Sequence, residues 1–278
     1  MQSNKYVFCG CAVEIQCDEK IKPEAEFSKF LSDFLEADYT VRVIHTDNLP
    51  TEVGEPVFRS QRRKIYVDGD TRVYTAYSNT KLRKYVDFAC KVNDSELYIK
   101  FDDELREVTV FDGLDLPSML LEKGIGIIHC SFVEYNGSAI LFVGDKQVGK
   151  STQAGLWNRY LGADVINGDR AAVYFENGNF FADGIPFCGT SKICKNKKLP
   201  IKALVCLSIG SNNKLEKLSS LEAFMKVVGK FSYNNTKDAV ETVSTLVSKM
   251  VENLPVYSYS CLKDESAVHF LKDELWKE

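Results

Sequence analysis

The chain has 278 residues, 45% of them hydrophobic and 27% charged, with a net charge of −4 from 35 basic and 39 acidic side chains. That length supplies one large domain or two of ordinary size, and the balanced charge argues against nucleic acid or an anionic membrane as the main partner. No apolar run approaches the roughly 20 residues that span a bilayer, and Met1–Lys5 lacks a signal peptide's apolar stretch, so a cytoplasmic location is expected.

Residues 1–118 read as a β-rich domain without a chemical motif. Tyr6–Gln16 alternates like one strand, with Cys9, Cys11 and Cys17 at one parity. Pro23–Glu36 reads as a helix, from its leading proline and the spacing of Phe27, Phe30, Leu31, Phe34 and Leu35. Lys64–Val67 and Thr71–Tyr77 flank Asp68-Gly69, a hairpin signal. Arg62, Arg63 and Lys64 read as a solvated strand end. Leu97–Phe101 and Glu107–Phe111 read as further strands. Leu114–Ser118 marks a boundary, giving a second domain over 119–278.

In the second part, His129–Tyr135 and Ser138–Val143 flank Asn136-Gly137, another hairpin signal. Residues 144–152, Gly144, Asp145, Lys146, Gln147, Val148, Gly149, Lys150, Ser151 and Thr152, then match the Walker A pattern G-x-x-x-x-G-K-[ST]. The apolar strand before it and a helix over Gln153–Leu161, closed by Gly162, are the context that motif needs. Gly144 and Gly149 let successive amides point inward at a triphosphate. Lys150 reaches the outer phosphates, and the Ser151 hydroxyl takes a place on Mg²⁺. Ala163–Asn167 is a strand, and Ala171–Glu176 and Asn179–Ala182 flank a third hairpin signal, Asn177-Gly178. Asp183–Pro200 reads as a loop and Ala203–Ile209 as an apolar strand. Helices over Ser219–Lys230 and Thr236–Leu254, a strand over Pro255–Ser260 and a helix over Glu265–Trp276 complete the chain.

The nine cysteines include no C-x-x-C pair, and their odd number argues against a disulfide framework or a zinc cage. Buried thiols in a reducing compartment are expected for Cys130 and Cys206, with Cys188 and Cys194, near the candidate site, as exceptions.

Asp169 ends the strand that follows the motif helix. If that strand lies beside Ser138–Val143, its carboxylate comes up next to the phosphates, to bind Mg²⁺ or to accept a proton from an attacking hydroxyl. His129 lies near the start of the motif or at the opposite end, depending on hairpin register. Arg170 is placed to neutralise phosphoryl charge, whereas Arg159 faces solvent or the sheet edge. Lys192, Lys195, Lys197 and Lys198 form a lysine-rich loop, either solvated or able to clamp an acidic or phosphorylated ligand.

His129, Gly137, the 144–152 motif and Gly168-Asp169 together resemble the C-terminal domain of HPr serine kinase/phosphorylase, which belongs with the phosphoenolpyruvate carboxykinase-like folds. Ile166–Arg170 and Gly184–Ser191 look closer still to HPr-kinase-related proteins, some of which phosphorylate a peptide serine. The resemblance covers about residues 125–270. It implies an α/β (α+β), mixed-sheet C-terminal domain and an ATP- and Mg²⁺-dependent kinase. It assigns Lys150 to the phosphates, Ser151 to the metal, Asp169 to the substrate hydroxyl as base, and His129 to the vicinity of the γ-phosphate. The family's acid pair is Gly168-Asp169 here, so one carboxylate is missing, with Asp164, Glu176 or Asp183 as candidate stand-ins. The family's later glycine-rich signature is also absent, which speaks against HPr as substrate and against phosphorolysis.

The expected function is therefore transfer of the γ-phosphoryl group of ATP to a serine-type hydroxyl of a peptide, protein or small molecule, with residues 1–118 as a candidate recognition domain. The alternative is a nucleotide-binding regulatory or assembly protein with little phosphotransfer. Carboxykinase-like chemistry would want more metal ligands and arginines. Homo-oligomerisation is left open.

Overall fold

Left-handed turns fold this chain into hairpins in both halves. The computed structural model describes residues 1–34, 36–47, 54–59, 63–68, 71–76, 88–90, 95–100, 104–234 and 236–277. They divide into two compact units, Met1–Met119 with Asn234–Lys237, and Leu120–Tyr233 with Asp238–Glu278. Among the described residues no helix is long and apolar enough to cross a membrane.

In the first unit β1 (Gln2–Phe8) and β2 (Cys11–Cys17) are antiparallel, with Phe8 opposite Cys11. The connecting Cys9-Gly10 has φ of 54° and 82°. The predicted single strand is thus two, because a left-handed turn at Cys9 reverses the chain. Cys9 leaves the face on which Cys11 and Cys17 are buried.

Pro23–Glu36 forms only a 3-10 turn at Phe27–Phe30, not the predicted helix. Tertiary contacts override the local pattern here. The Glu24 carboxylate accepts from the Val108 amide (2.8 Å) and from Arg106. Leu31 is extended and bridges to Tyr6. Leu35 lies outside the described residues.

Next come β3 (Tyr39–His45), β4 (Phe58–Arg59), β5 (Arg63–Asp68), β6 (Thr71–Ala76), β7 (Phe88–Cys90) and β8 (Glu96–Ile99). They complete a five-stranded sheet of order β1-β2-β3-β8-β7 and a three-stranded sheet of order β4-β5-β6. In the predicted hairpin Asp68 pairs with Thr71. Gly69, like Arg62, Tyr77 and Phe101, lies outside the described residues.

Glu107–Phe111 is helical within α1 (Glu107–Gly113), where a strand was predicted. Packing decides the matter. The Phe111 ring meets those of Tyr6, Phe27 and Phe8 at 5.0, 5.1 and 5.2 Å, and the buried Glu107 carboxylate accepts from Tyr6 Oη at 2.5 Å. The predicted boundary at Leu114–Ser118 forms the start of α2 (Leu116–Glu122).

The second unit is built on β9 (Gly126–Tyr135) and β10 (Ser138–Val143), joined by Asn136-Gly137 with φ of 49° and 72°. The 144–149 segment leads into α3 (Lys150–Leu161), which ends on Gly162 at φ 65°. Then follow β11 (Asp164–Asn167), β12 (Arg170–Glu176) and β13 (Asn179–Asp183), the last two joined by Asn177-Gly178. The remainder comprises β14 (Lys198–Ile209), β15 (Lys214–Lys217), α4 (Ser220–Val227), β16 (Phe231–Ser232), α5 (Lys237–Asn253), β17 (Val256–Cys261) and α6 (Glu265–Leu275).

The sheet is mixed. β10 and β17 run parallel to β14, whereas β9 is antiparallel to β10, β11, β12 and β16. Beyond the expected mixed sheet, β9, β10, β14, β13 and β12 close into a ring of five strands. The twelve-residue β14 makes this possible, because its start pairs with β13 and its middle with β10. One core cluster joins Ile128, Leu141, Val173 and Leu204 to Val227, Val247 and Met250 of α4 and α5. Another joins Ile140, Phe142 and Val205 to Trp157 of α3 and Leu271 of α6.

Candidate functional site

The register of β9 brings distant residues together. One edge pairs with β10 beyond Cys130 and with β16 at Ile128, so a gap opens at His129. The other edge passes from β11 to β12 at the same level, and Cys130 donates its amide to the Asp169 carbonyl at 3.0 Å. Since Val143 pairs with Cys130, Gly144 leaves the sheet beside His129, which resolves the register left open above. β11 does not lie beside β10 as supposed. β9 runs between them, and it still delivers Asp169 to the end of the sheet where the 144–149 segment departs.

Asp169 contacts both His129 and Arg170. His129 Nε2 lies 3.3 Å from Asp169 Oδ1, and Arg170 Nε lies 3.3 Å from Asp169 Oδ2. The hydrogen bond from His129, and next the charge of Arg170, hold the Asp169 carboxyl below the usual carboxylate range despite partial burial. Arg170 also stands 5.8 Å over the Phe187 ring. Fully buried Asn167 fixes the turn. Its Oδ1 accepts from the amides of Asp169 (2.9 Å) and Arg170 (3.0 Å), and its Nδ2 donates to the Ile185 carbonyl (2.8 Å).

The 144–149 segment is curled by left-handed residues, with φ of 153° at Gly144, 66° at Gln147 and 110° at Gly149. A Cβ at Gly144 would stand 2.8 Å from Val148 Cγ1. Buried Lys150 turns back into the curl and donates to the carbonyls of Gly144 (3.0 Å) and Asp145 (2.9 Å). Burial lowers the pKa of its ammonium group. Asp145, Lys146, Gln147, Ser151 and Thr152 are exposed, and Val148 packs against the α3 core. Amides in such a curl, with a helix N-terminus behind them, attract anions.

A cleft of about 450 Å³ is lined by Gly144, Asp145 and Lys146 from this segment, by His129, Asp169 and Arg170, and by Gly229–Ser232. Lys230 donates to Asp145 Oδ1 at 2.5 Å, the first cause of the lowered pKa of Asp145. Sequence reasoning missed this last wall. Lys230 lies eighty-five positions from Asp145, and no motif marks it. The role of Asn167 was legible in principle, since Asn-Gly-Asp favours a side-chain-bonded turn.

Other candidates lie apart from the cleft. Asp164 and Glu176 are at the far ends of β11 and β12, paired with Lys195 and Lys198, and Lys197 pairs with Glu134. Those lysines brace strand carboxylates. Asp183 is buried beneath Tyr174. Arg159 is exposed, over the ring of Tyr160. Cys188 and Cys194 are buried. Among the described residues no group of three or more His, Cys, Asp or Glu side chains is arranged to hold a metal.

No protein-family model matches the chain, and no curated protein matches it. Among solved structures, the Hpr(Ser) kinase/phosphatase from Coxiella burnetii is similar at 12% identity and a TM-score of 0.23, over 44% of this chain and 88% of that one.

Proposed function

We propose that this chain is a phosphotransferase that moves the γ-phosphoryl group of ATP to a hydroxyl of a peptide, protein or small molecule. The supporting observation is the joint exposure of the His129–Asp169–Arg170 cluster and the Gly144–Lys146 curl in one cleft. The curl is the phosphate loop of this reading. Phosphate oxygens replace the Gly144 and Asp145 carbonyls as partners of Lys150, and the amides from Gly144 to Ser151 bind the remainder.

Asp169 receives the acceptor hydroxyl. Its carboxylate, ionised at neutral pH, accepts that hydrogen bond on a lone pair unused by His129 or Arg170. As the acceptor oxygen bonds to the γ-phosphorus, the bond to the bridging oxygen breaks, the nucleoside diphosphate departs and the proton passes to Asp169. A depressed pKa makes Asp169 a weak base, which suits a loose transition state in which the proton moves late and positioning dominates. His129 fixes the rotamer of Asp169. Arg170 and Lys230 offset charge on the transferred group.

The exposed Ser151 hydroxyl and the Asp169 carboxylate are hard oxygen donors that would hold Mg²⁺, with phosphates and water as its other ligands. When bound, Mg²⁺ would neutralise phosphate charge. The sparse protein donor set is usual for that ion.

Asp169→Asn is the test. It is expected to keep ATP affinity within about threefold, because the loop is untouched, and to slow transfer at least about 100-fold. Transfer at the wild-type rate would remove Asp169 from the reaction. A second reading, nucleotide binding without transfer, draws on the pairing of both Asp169 oxygens. It predicts that no acceptor is ever labelled from γ-labelled ATP.

A further inference from the structure

Two cations at the phosphate curl share oxygens of one residue. Lys150 donates to the Asp145 carbonyl at 2.9 Å, and Lys230 donates to the Asp145 carboxylate at 2.5 Å. The Asp145 side chain is 87% exposed, whereas Lys230 is only 24% exposed and lines the cleft. The anion is therefore the movable partner. The 3-10 turn Val228–Lys230 and β16, whose Phe231 pairs with Ile128 of β9, carry the lysine on a fixed wall.

We propose that, resting on the phosphate-loop reading, Asp145 is an internal anion that occupies Lys230 until a polyphosphate displaces it, so that Lys230 engages a triphosphate and stays paired when inorganic phosphate binds. Carboxylate and phosphate oxygens compete for one ammonium group in one cleft. A single small anion gains little by displacing a tethered carboxylate. A polyphosphate chain, held by the loop amides at one end, delivers several charges to the same place and wins the exchange. Asp145 then swings into solvent, as its exposure permits, and Lys230 turns to the phosphates. Lys230 is thereby engaged by triphosphate and left on Asp145 by inorganic phosphate.

Calorimetric titration of the full chain with a non-hydrolysable ATP analogue, ADP and inorganic phosphate tests this in wild type, Asp145→Asn, Lys230→Gln and the double variant. Asp145→Asn is expected to tighten the ATP analogue about fivefold, the scale of one exposed ion pair, because that ligand no longer has to break the pair, and inorganic phosphate and ADP less. In the Lys230→Gln background the same change is expected to do nothing, because the pair is already gone. Equal tightening of all three ligands, no tightening, or the same gain without Lys230 would each overturn the proposal. Wild-type binding with no change in Asp145→Asn defeats this proposal alone. Absence of binding in every variant defeats the phosphate-loop reading and this proposal with it.

Discussion

Ser191 leaves no room for a side chain at residue 168: a Cβ built on Gly168 would stand 2.3 Å from its Oγ and 2.5 Å from its Cβ. Ser191 is itself pinned, donating to the Cys188 carbonyl at 2.6 Å and accepting from the Ile193 amide at 3.3 Å. The lone acid at this turn is thus a consequence of packing. Gly168→Ala is expected to destabilise the fold by about 1–3 kcal/mol through overpacking, and Ser191→Gly in the same chain to restore most of it. Denaturant unfolding of the two variants checks this. Wild-type stability in Gly168→Ala would contradict it.

Asn167 acts on Asp169 through the backbone. Asn167→Ala removes the acceptor of two amides and the donor to Ile185, so a cost of about 2–4 kcal/mol is expected. Asn167→Asp keeps the acceptor and, when protonated, the donor to Ile185, so at low pH it should hold the turn better than alanine does, whereas ionised it would set a buried charge against that carbonyl. If phosphotransfer is measured alongside, both changes should lower its rate with little effect on nucleotide affinity. Equal behaviour of the two variants at low pH would show that the Oδ1 contacts are unimportant.

Asp183 gives a pH dependence of known sign. It is buried, its Oδ2 accepts from Tyr174 Oη at only 3.4 Å, and its Oδ1 has no hydrogen-bond partner. Burial pushes its carboxyl up to about 6. A folded-state pKa above the unfolded value means the folded state binds the proton more tightly. The stabilisation is complete below the unfolded value near 3.8 and is lost as pH rises through about 6. A shift of roughly two units corresponds to about 3 kcal/mol. Asp183→Asn should therefore gain about that much on wild type between pH 4 and pH 8, in unfolding titrations across the range. A constant difference would mean that Asp183 titrates normally.

Local chemistry was legible in the sequence wherever it was sufficient. Asn136-Gly137 and Asn177-Gly178 take the left-handed turns their side chains favour, and Gly162 closes α3. Cys9-Gly10 makes the same turn, but cysteine is a poor signal for it, so two strands were read as one. Helix and strand were misread at Pro23–Glu36 and Glu107–Phe111. There one aromatic cluster and the carboxylates of Glu24 and Glu107 set the backbone across some eighty positions of sequence. At the candidate site the loop, His129, Asp169 and Arg170 could be named from spacing and resemblance. Lys230 could not, because only the pairing of Phe231 with Ile128 brings it there. Closure of β14 onto both β13 and β10 left no trace in its apolar pattern, which one buried strand would show equally well.

A crystal structure of the chain with a non-hydrolysable ATP analogue and magnesium tests the central claim most directly. The triphosphate should lie against the amides of residues 144–151, with Lys150 turned from the Gly144 carbonyl to phosphate and the Asp169 carboxylate facing the terminal phosphorus. Nucleotide bound elsewhere, or an Asp169 side chain directed away from that phosphorus, would contradict the account.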